Sequence, residues 1–590
     1  MKQFFKMMFA SAFGVFIAFM LMSFIGFILF LGMLVSIGSD SKAVYTPRAD
    51  ESVFKMSLNG IMYEEVEEDP LAFLLGGENT LSLKDILASI RNAKEQSAVK
   101  GIYLDMGLLF TGTSNVDAIR RALVEFKESG KFVVAYADNY TQVGYYLASV
   151  ADEIYLNPQG TLMLTGFASQ TLFYKGILQK AGIEMLVFKV GKYKGAVEPF
   201  IADQLSDENR EQITMYQSGI WNNIVSGIAS SRKIPVSDII HFVDEGLFLA
   251  DPSNAVECGL IHELAYRSDV EKMVMEKAGQ SGNSLKTMGI SKMKRAKKFE
   301  RDYRNKIAVI YAEGEISTLP SSSPYQGSYT ITEKFANELK KLKDDEHVKA
   351  VVIRVNSPGG SAYVSEQIWK QVIELKKTKT VVVSMGNVAA SGGYYISCGA
   401  NKIVAEANTL TGSIGIFGMF PNASGLFEKL DLTTDIVKTN NFSDFGDISR
   451  PMTEDEMALM QGFVERGYDV FLTRCAEGRN KSKEEIDLIG QGRVWTGAQA
   501  LELGLVDELG GIDRAIELAA EIAKIVNYTI INVSTSKDFI KELFEKQLDN
   551  VKASMLRDLM GEEYDYYKTL KQVKSTCGIQ ARLPYDLRPL

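Results

Sequence analysis

The chain repeats one order of strands and helices, and this repeat limits the folds open to it more than any other feature of the sequence. Hydrophobic periodicity predicts, in the first copy, strands at 53–58 and 60–63, a helix at 81–93, a strand at 99–104, a helix at 116–126 and a strand at 132–137. In the second copy it predicts a strand at 307–311, a helix at 332–342, a strand at 348–355, a helix at 364–375 and a strand at 380–385. Strands that alternate with helices at this spacing indicate a parallel sheet with helices on its faces.

Short identities between the two copies support a duplication. The run 131–134 matches 379–382, and the tyrosine pair 145–146 matches 394–395, at a separation of about 248 residues. A chain of 590 residues with 46% hydrophobic content can build more than one sizeable core. We therefore expect an α/β fold made of two tandem homologous domains.

The N-terminal segment is apolar and long enough to cross a membrane. No charged residue lies between Met7 and Ser39. A bilayer core needs about 20 helical residues, whereas the apolar core of a cleaved signal peptide has about 7 to 15. Lys2 and Lys6 precede the segment, and the positive-inside rule then keeps the N-terminus in the cytoplasm. We predict a transmembrane anchor at 9–38, with nearly all of the chain on the outer side of that membrane.

Charge and residue counts exclude several classes of function. The net charge of -9 gives no global basis for nucleic-acid binding. The four cysteines are widely separated and form no CxxC pair, and the three histidines are scattered. We therefore expect no metal site and no dense disulfide framework, and serine chemistry in this chain would need a base other than histidine.

Ser391 is a candidate nucleophile. It lies in a stretch of small residues, 386–393, between the predicted strand 380–385 and a short predicted helix at 394–399. A serine at such a strand-to-helix junction exposes its hydroxyl near the positive end of a helix. A tight turn with close backbone packing requires the same small residues, so this stretch alone leaves both interpretations open.

The two copies differ at the positions that could carry chemistry. With the tyrosine pairs aligned, Ser391 lies opposite Gln142, and Lys194 lies opposite Ser443. The loop 356–361 lies opposite 106–111, which lacks the Gly-Gly pair. Each copy is therefore expected to hold part of one site.

Four motifs resemble the signal peptide peptidase A family (protease IV), in its long membrane-anchored form. They are Tyr193-Lys-Gly-Ala-Val-Glu-Pro-Phe200, Asn356-Ser-Pro-Gly-Gly360, Ala390-Ser-Gly-Gly-Tyr394 and Thr411-Gly-Ser-Ile-Gly415. The resemblance runs from the anchor to about residue 526. Gly195 departs from the family pattern, since relatives often have serine there. The resemblance implies crotonase/Clp-protease-like domains and a serine protease with a Ser/Lys dyad.

Carried over by position, the resemblance makes Ser391 the nucleophile and Lys194 the general base. A lysine amine can take the serine proton only when its pKa falls from about 10.4 towards 7 or 8, which requires burial. We therefore expect Lys194 to be buried between the two copies. Lys189 and Lys192 are alternatives by spacing. Ser413 either orients the lysine amine or caps a turn.

The oxyanion hole is expected at Gly359, Gly360 and Gly392. The first two follow a predicted strand, where glycine lets backbone N–H groups approach a substrate carbonyl, and the third follows the nucleophile. A plain tight turn would also use Gly359 and Gly360. His347 precedes the same strand at its other end, so a Ser-His arrangement is not expected.

The expected organisation has six parts. They are a cytoplasmic tail at 1–8, the anchor at 9–38, a first domain supplying the lysine at 50–285, a basic linker helix at 286–305, a second domain supplying the serine at 306–526 and a C-terminal tail at 527–590. The linker is expected to be a solvated helix rather than a lipid-binding one. An amphipathic helix at 538–556 is expected to pack on the body or on a neighbouring subunit.

The resemblance implies a single-pass enzyme of a bacterial-type inner membrane that degrades hydrophobic peptides such as cleaved signal peptides. It also implies a homo-oligomer, a tetramer in the family, and no cofactor. One alternative is a crotonase-type acyl-CoA hydratase or thioesterase, which would also use a Gly-Gly oxyanion hole. The other is a non-catalytic membrane scaffold.

Overall fold

The computed structural model describes residues 2–40, 45–48, 50–66, 80–296, 303–318, 330–533 and 578–582. The first helix, Lys2–Asp40, is longer than the predicted 9–38. Its part Lys6–Gly26 is long and apolar enough to cross a membrane. Within Lys6–Gly26, the described side chains are exposed, with Phe13 at 65% and Met22 at 70%. The predicted helix at 538–556 lies outside the described residues.

The first copy contains eight strands and ten α-helices among the described residues. The strands are β1 (Val53–Tyr63), β2 (Thr80–Ser82), β3 (Gly101–Phe110), β4 (Phe132–Ala137), β5 (Glu153–Leu156), β6 (Glu184–Lys189), β7 (Glu263–Leu264) and β8 (Thr287–Met288). The helices are Leu83–Glu95, Thr113–Lys127, Gln142–Ala148, Lys175–Ala181, Glu198–Ile201, Asp207–Arg232, Val236–Asp244, Ser253–Glu257, Arg267–Lys277 and Ile290–Met293.

The second copy and the C-terminal segment supply the remaining described elements. The strands are β9 (Lys306–Glu313), β10 (Glu315–Ile316), β11 (Thr330–Ile331), β12 (Val348–Ser357), β13 (Gly359–Ser361), β14 (Thr380–Ala390), β15 (Lys402–Ala405), β16 (Leu410–Gly412), β17 (Phe417–Asn422), β18 (Val494–Thr496), β19 (Glu508–Leu509), β20 (Thr529–Val533) and β21 (Gly578–Arg582). The helices are Glu333–Asp344, Ala362–Lys376, Gly392–Ser397, Ser424–Lys429, Glu454–Arg479, Lys483–Ile489, Gly497–Glu502 and Ile512–Ala523.

Each copy builds its own mainly parallel sheet. The first has the order β2-β1-β3-β4-β5-β7, and the second has the order β18-β16-β14-β12-β9-β20, with β15 and β19 continuing from β14. In both sheets the first long strand pairs with the second and the second with the third, all in parallel. Helices cover these sheets, so the central strands are buried on both faces and are apolar over most of their length.

The sheet of the second copy brings two predicted site loops together. The neighbouring parallel strands β12 and β14 pair from Ala350 with Thr380 to Ser357 with Ala389. Their carboxyl ends lead directly into Gly359 and Ser391. Because parallel strands end at one edge of a sheet, both loops meet there, at the position where α/β proteins bind ligands.

A third sheet joins the two copies. Its order is β11-β10-β13-β21-β17-β6. Strand β6 belongs to the first copy, whereas β10, β11, β13 and β17 belong to the second and β21 to the C-terminal segment. Strands β17 and β6 pair in antiparallel orientation over six residues, from Phe417 with Lys189 to Asn422 with Glu184. This pairing fixes the segment after β6 against the second copy.

A buried ion pair also joins the copies. Arg354 of β12 is 1% exposed, and its guanidinium contacts both carboxylate oxygens of Glu64 at 2.9 and 3.1 Å. It also donates to Ser384 Oγ at 2.9 Å and to the Met385 carbonyl at 2.8 Å, both on β14. Burial next to Glu64 raises the pKa of Glu313 to about 8.

Several elements differ from their predicted bounds. The two strands predicted at 53–58 and 60–63 form one strand, and the strand predicted at 380–385 runs to Ala390. The basic segment predicted as a linker helix contains only a four-residue helix, Ile290–Met293, in its described part. Met293 and Ala296 are buried, and Lys294 contacts Asp85 at 2.9 Å. Packing on the first copy therefore replaces the solvated helix.

Candidate active site

Ser391 lies at the junction of β14 and the helix Gly392–Ser397, with an unusual backbone conformation. Its φ is 55° and its ψ is -113°, a region that non-glycine residues rarely adopt. Its N–H donates to the Gly412 carbonyl at 2.8 Å. A Cβ on Gly393, the second residue of the helix, would lie 2.6 Å from the Ser357 carbonyl oxygen, so this close approach of two main chains requires glycine. The turn directs the serine hydroxyl toward the first copy.

The amine of Lys194 lies against this hydroxyl. Lys194 Nζ is 2.8 Å from Ser391 Oγ, 3.0 Å from Ser413 Oγ and 3.1 Å from the Ser413 carbonyl oxygen. All three residues are fully buried. Burial lowers the pKa of Lys194 well below its ordinary value of 10.5. A neutral amine can donate to the two Ser413 oxygens and keep its lone pair for the Ser391 hydroxyl.

The second copy fixes the backbone that carries Lys194. Tyr193 N–H donates to the Gln491 carbonyl at 2.9 Å. Gly492 has a φ of 81°, and a Cβ there would lie 2.8 Å from Lys194 Cβ. The lysine therefore rests directly on a glycine of the other copy. Lys192, one of the alternatives, is exposed to solvent, and Lys189, the other, is part of β6.

The space beside Gly195 is filled by a neighbouring side chain. Side-chain atoms of Asn209 occupy the position that a Cβ on residue 195 would take. Asn209 donates to Glu198 at 2.9 Å, and its carbonyl oxygen accepts from Gln212. Gln212 in turn donates to the Tyr193 carbonyl at 2.9 Å. This buried network supports the Lys194 segment, and sequence reasoning missed it because its polar residues lie on a helix that resembles an ordinary surface helix.

The three predicted oxyanion-hole glycines lie together. Gly359 and Gly360 have φ values of 98° and 148°, which only glycine adopts without strain. A Cβ on Gly359 would lie 2.7 Å from the nitrogen of Gly392, the residue after the serine. The N–H of Gly359 donates to Ser357 Oγ at 3.2 Å. The backbone amides of both loops therefore meet beside Ser391, with the Gly359 amide held by a hydroxyl.

The C-terminal strand β21 occupies the groove beside these glycines. It pairs in antiparallel orientation with β13 on one side, with Ala581 opposite Gly360, and with β17 on the other, with Gln580 opposite Phe417. Ala581 is fully buried, and a side chain on Gly359 would collide with its carbonyl oxygen. The groove therefore accepts an extended chain through main-chain hydrogen bonds.

His347 lies away from this site. It precedes β12 at the end opposite to the glycine loop, is about half exposed, and contacts Asp345 at 3.4 Å. The structure brings together Ser391, Lys194, Ser413 and the three glycines, and it places the histidine elsewhere.

A pH dependence follows from the lowered pKa of Lys194. A protonated amine cannot accept a proton, so if Lys194 is the base for Ser391, the rate of the reaction falls as the pH falls through that pKa. We expect kcat/KM to rise with pH along a limb whose midpoint lies well below 10.5, the ordinary lysine value. The profile of kcat/KM against pH checks this. A midpoint near 10.5 would contradict a buried lysine as the base.

Comparison with known proteins identifies relatives along most of the chain. The model of peptidase family S49 matches residues 125–281 and 373–526, one range in each copy, which confirms the predicted duplication. The Clp protease model matches residues 324–411. Protease 4 of Haemophilus influenzae is 35% identical over 558 residues, which are 91% of this chain and 88% of that protein. Protease 4 of Salmonella typhi is 35% identical over 543 residues, covering 89% and 86%. The chloroplastic serine protease SPPA of Arabidopsis thaliana is 30% identical over 538 residues, covering 90% and 77%.

Proposed function

The chain belongs to peptidase family S49 and is a serine protease. From this premise, we propose that it is a membrane-anchored endopeptidase that cleaves hydrophobic peptides with a Ser391/Lys194 dyad. The observation that carries the proposal is the 2.8 Å contact between Lys194 Nζ and Ser391 Oγ in a fully buried site. The segment 50–285 supplies the base, and the segment 306–526 supplies the nucleophile.

In the proposed mechanism, Ser391 Oγ attacks the scissile carbonyl carbon while its proton moves to Lys194 Nζ. Ser413 holds that amine in place with its hydroxyl and carbonyl oxygens. The carbonyl oxygen gains negative charge beside the backbone amides of Gly360 and Gly392, which stabilise it; the Gly359 amide can join them only by leaving Ser357 Oγ. Lys194 then gives its proton to the leaving amine. Water, deprotonated by the same lysine, hydrolyses the acyl-enzyme ester and releases the serine.

The groove supports a preference for extended, apolar substrates. Strand β21 shows the main-chain pairing that a peptide would adopt between β13 and β17. Ala581 is buried in the apolar core of the second copy, with Ile579 packed against that core. A substrate with small and apolar residues at these positions would gain the same burial, as a released signal peptide could.

The helix Lys2–Asp40 is the proposed anchor. Its exposed apolar side chains would be buried by lipid, and Lys6 precedes the charge-free span. The positive-inside rule supports an N-terminus in the cytoplasm. The rest of the chain would then lie on the periplasmic side of a bacterial-type inner membrane. Hydrophobic peptides left in that membrane would then lie near the groove. We also propose that the protein forms a homo-oligomer, which family resemblance makes a tetramer.

Labelling and turnover together test this function. The full-length protein in detergent is treated with a fluorophosphonate, digested and analysed by mass spectrometry. The adduct is expected on Ser391 and not on any residue of the Ser391→Ala variant. A signal-peptide substrate should be cleaved by the unmodified enzyme, whereas an acyl-CoA should not. Turnover of the acyl-CoA with no peptide cleavage would favour the hydratase or thioesterase, and an unlabelled, inactive protein would favour the scaffold.

Removing β21 is predicted to increase activity on short peptides. The strand occupies the groove in which a substrate would pair, and a tethered segment competes at an effective concentration that reaches the millimolar range. We expect a chain ending at residue 577 to show a KM about 10-fold lower for a short apolar peptide, with kcat little changed. A chain ending at Arg582 keeps the strand and is the control. Equal KM values for the two chains would contradict this prediction.

A further inference from the structure

Lys194 and the residue that holds its amine belong to separate segments, so the site needs a link between them. The Lys194 side chain contacts Ser413, which lies 219 residues further along the chain. The N–H of Ser413 donates to the Arg493 carbonyl at 2.7 Å, and Ser413 has a φ of 50°, which non-glycine residues rarely adopt. The position of Ser413 therefore depends on the segment that contains Arg493.

The segment 491–494 contacts the backbone on both sides of the lysine amine. On the side of the base, the Gln491 carbonyl accepts from the Tyr193 N–H at 2.9 Å. On the opposite side, the N–H of Gly492 donates to the Ile414 carbonyl at 2.8 Å. The base and the loop that accepts from its amine are therefore anchored to one short segment of the second copy.

The side-chain amide of Gln212 completes this arrangement from the first copy. Gln212 lies on the helix Asp207–Arg232 and is fully buried. Its Nε2 donates to the Tyr193 carbonyl at 2.9 Å, and its Oε1 accepts from the Val494 N–H at 3.1 Å. One amide group thus joins the residue before the base to a strand of the second copy that begins 282 residues after Gln212.

Only a side chain that both donates and accepts can make this link. An amide has a carbonyl oxygen and an NH₂ group, and Gln212 uses both, with a further contact from its Nε2 to Asn209 Oδ1 at 2.5 Å. An ionised carboxylate accepts but cannot donate, and a thioether does not donate. Without the amide, two buried main-chain groups would lose a partner, and a shift of either segment toward a new partner would be favoured.

The repeat places this amide only in the copy that carries Lys194. The helices Asp207–Arg232 and Glu454–Arg479 correspond, since each is 26 residues long and begins with a hydroxyl N-cap. With their first residues aligned, Gln212 lies opposite Leu459, which is 55% exposed. The helix by itself therefore does not require a buried polar side chain at this position.

Arg493 supports the same link through its side chain. Its guanidinium lies 4.6 Å from the ring centroids of both Tyr193 and Trp495, and it donates to Tyr193 Oη at 3.0 Å. It also pairs with Glu211 at 2.8 Å, one residue before Gln212. The amide and the guanidinium therefore hold residue 193 from two directions, which restricts the backbone next to the base.

We propose that Gln212 is a positioning residue for catalysis, which holds the Lys194 amine against the Ser391 hydroxyl by tying the two backbone segments together. The proposal rests on the proposed Ser/Lys dyad and adds a residue that touches neither the substrate nor the reacting atoms. A displacement of about 1 Å in a catalytic group can lower a rate by about 10²-fold. Lys194 Nζ lies 2.8 Å from Ser391 Oγ, so such a shift would break the contact across which the proton moves.

Gln212→Met tests the link in the full-length protein in detergent. The variant keeps the length of the side chain and removes the amide, so kcat for a signal-peptide substrate is expected to fall about 10²-fold. KM is expected to change little, because the groove lies between β13 and β17. Ile213→Val is the control and should keep the wild-type kcat, since Ile213 is the next residue and packs in the core of the first copy. Urea unfolding of both variants shows that the assays use folded protein.

Gln212→Glu adds a readout that a role in folding alone would not move, and it tests the link if Gln212→Met does not fold. The ionised carboxylate can still accept from the Val494 N–H, but it cannot donate to the Tyr193 carbonyl. Its negative charge favours the ammonium form of Lys194. The rising limb of kcat/KM against pH is therefore expected at higher pH than in the wild type, with a lower kcat.

Wild-type kcat in Gln212→Met, or a wild-type pH profile in Gln212→Glu, would overturn the proposal. Lys194→Ala in the same assays separates this result from a failure of the proposed function. If Lys194→Ala is inactive and Gln212→Met is fully active, the dyad stands and Gln212 does not position it. If Lys194→Ala keeps its activity, the proposed dyad fails, and the role of Gln212 fails with it.

Discussion

Replacing Lys194 by alanine is expected to lower kcat/KM for peptide cleavage by about 10⁴-fold, at the upper end of what a general base contributes. The structure holds the amine 2.8 Å from Ser391 Oγ in a site closed to solvent, so no bulk base can take its place. Lys192→Ala is the matched control, because Lys192 is exposed two residues away. The measurement is kcat/KM of the purified full-length variants on one signal-peptide substrate.

The same pair of variants can contradict the assignment. If Lys192→Ala lost activity and Lys194→Ala kept it, the base would be the exposed lysine and the buried contact would be structural.

Lys194→Met adds a stability readout. Because the pKa of Lys194 is lowered in the folded state, the unfolded chain binds more protons between that pKa and 10.5, and burying this lysine lowers the free energy of unfolding at neutral pH. Lys194→Met is therefore expected to raise the free energy of unfolding while abolishing activity.

Replacing Arg354 by methionine is expected to destabilise the protein by about 3 to 5 kcal/mol. The variant leaves the Glu64 carboxylate buried without its partner and next to Glu313, and it removes two hydrogen bonds to β14. Urea unfolding measures the loss. Lys370→Ala is the control, since Lys370 is 54% exposed in its ion pair with Glu374, and such surface pairs contribute about 0 to 1 kcal/mol.

A double variant separates the effect of the unpaired Glu64 charge from the effect of lost packing around residue 354. Arg354→Met combined with Glu64→Gln removes the unpaired charge, so it should be less destabilised than the sum of the single variants. Additive losses would mean that Arg354 acts by packing alone. Because Arg354 also donates to Ser384 and Met385 on the strand that leads to Ser391, its loss should lower kcat as well.

Local patterns in the sequence predict much of the fold and of the site. Apolar runs between predicted helices predict the strands β12 and β14. The small residues around Ser391 indicate this serine as a candidate nucleophile. The pairing of Arg354 with Glu64 is not readable from these patterns, because its partners lie 290 residues apart. The extension of β14 to Ala390 also depends on its neighbours, Ser357 and Leu410. Strand β21 was missed for the same reason, since its five residues become a strand only between β13 and β17.

The division of the site between the two copies has a consequence for biosynthesis. Lys194 leaves the ribosome long before Ser391, and β6, which precedes it, gains its partner β17 only after the second copy has been made. If Lys194 is the base, as proposed, its amine would stay solvated and protonated without that partner, and the reaction could not begin. A chain that ends before β17 is therefore expected to be inert, and activity is expected only after the second copy has been made. The order of synthesis would thus delay peptide cleavage until both copies are present.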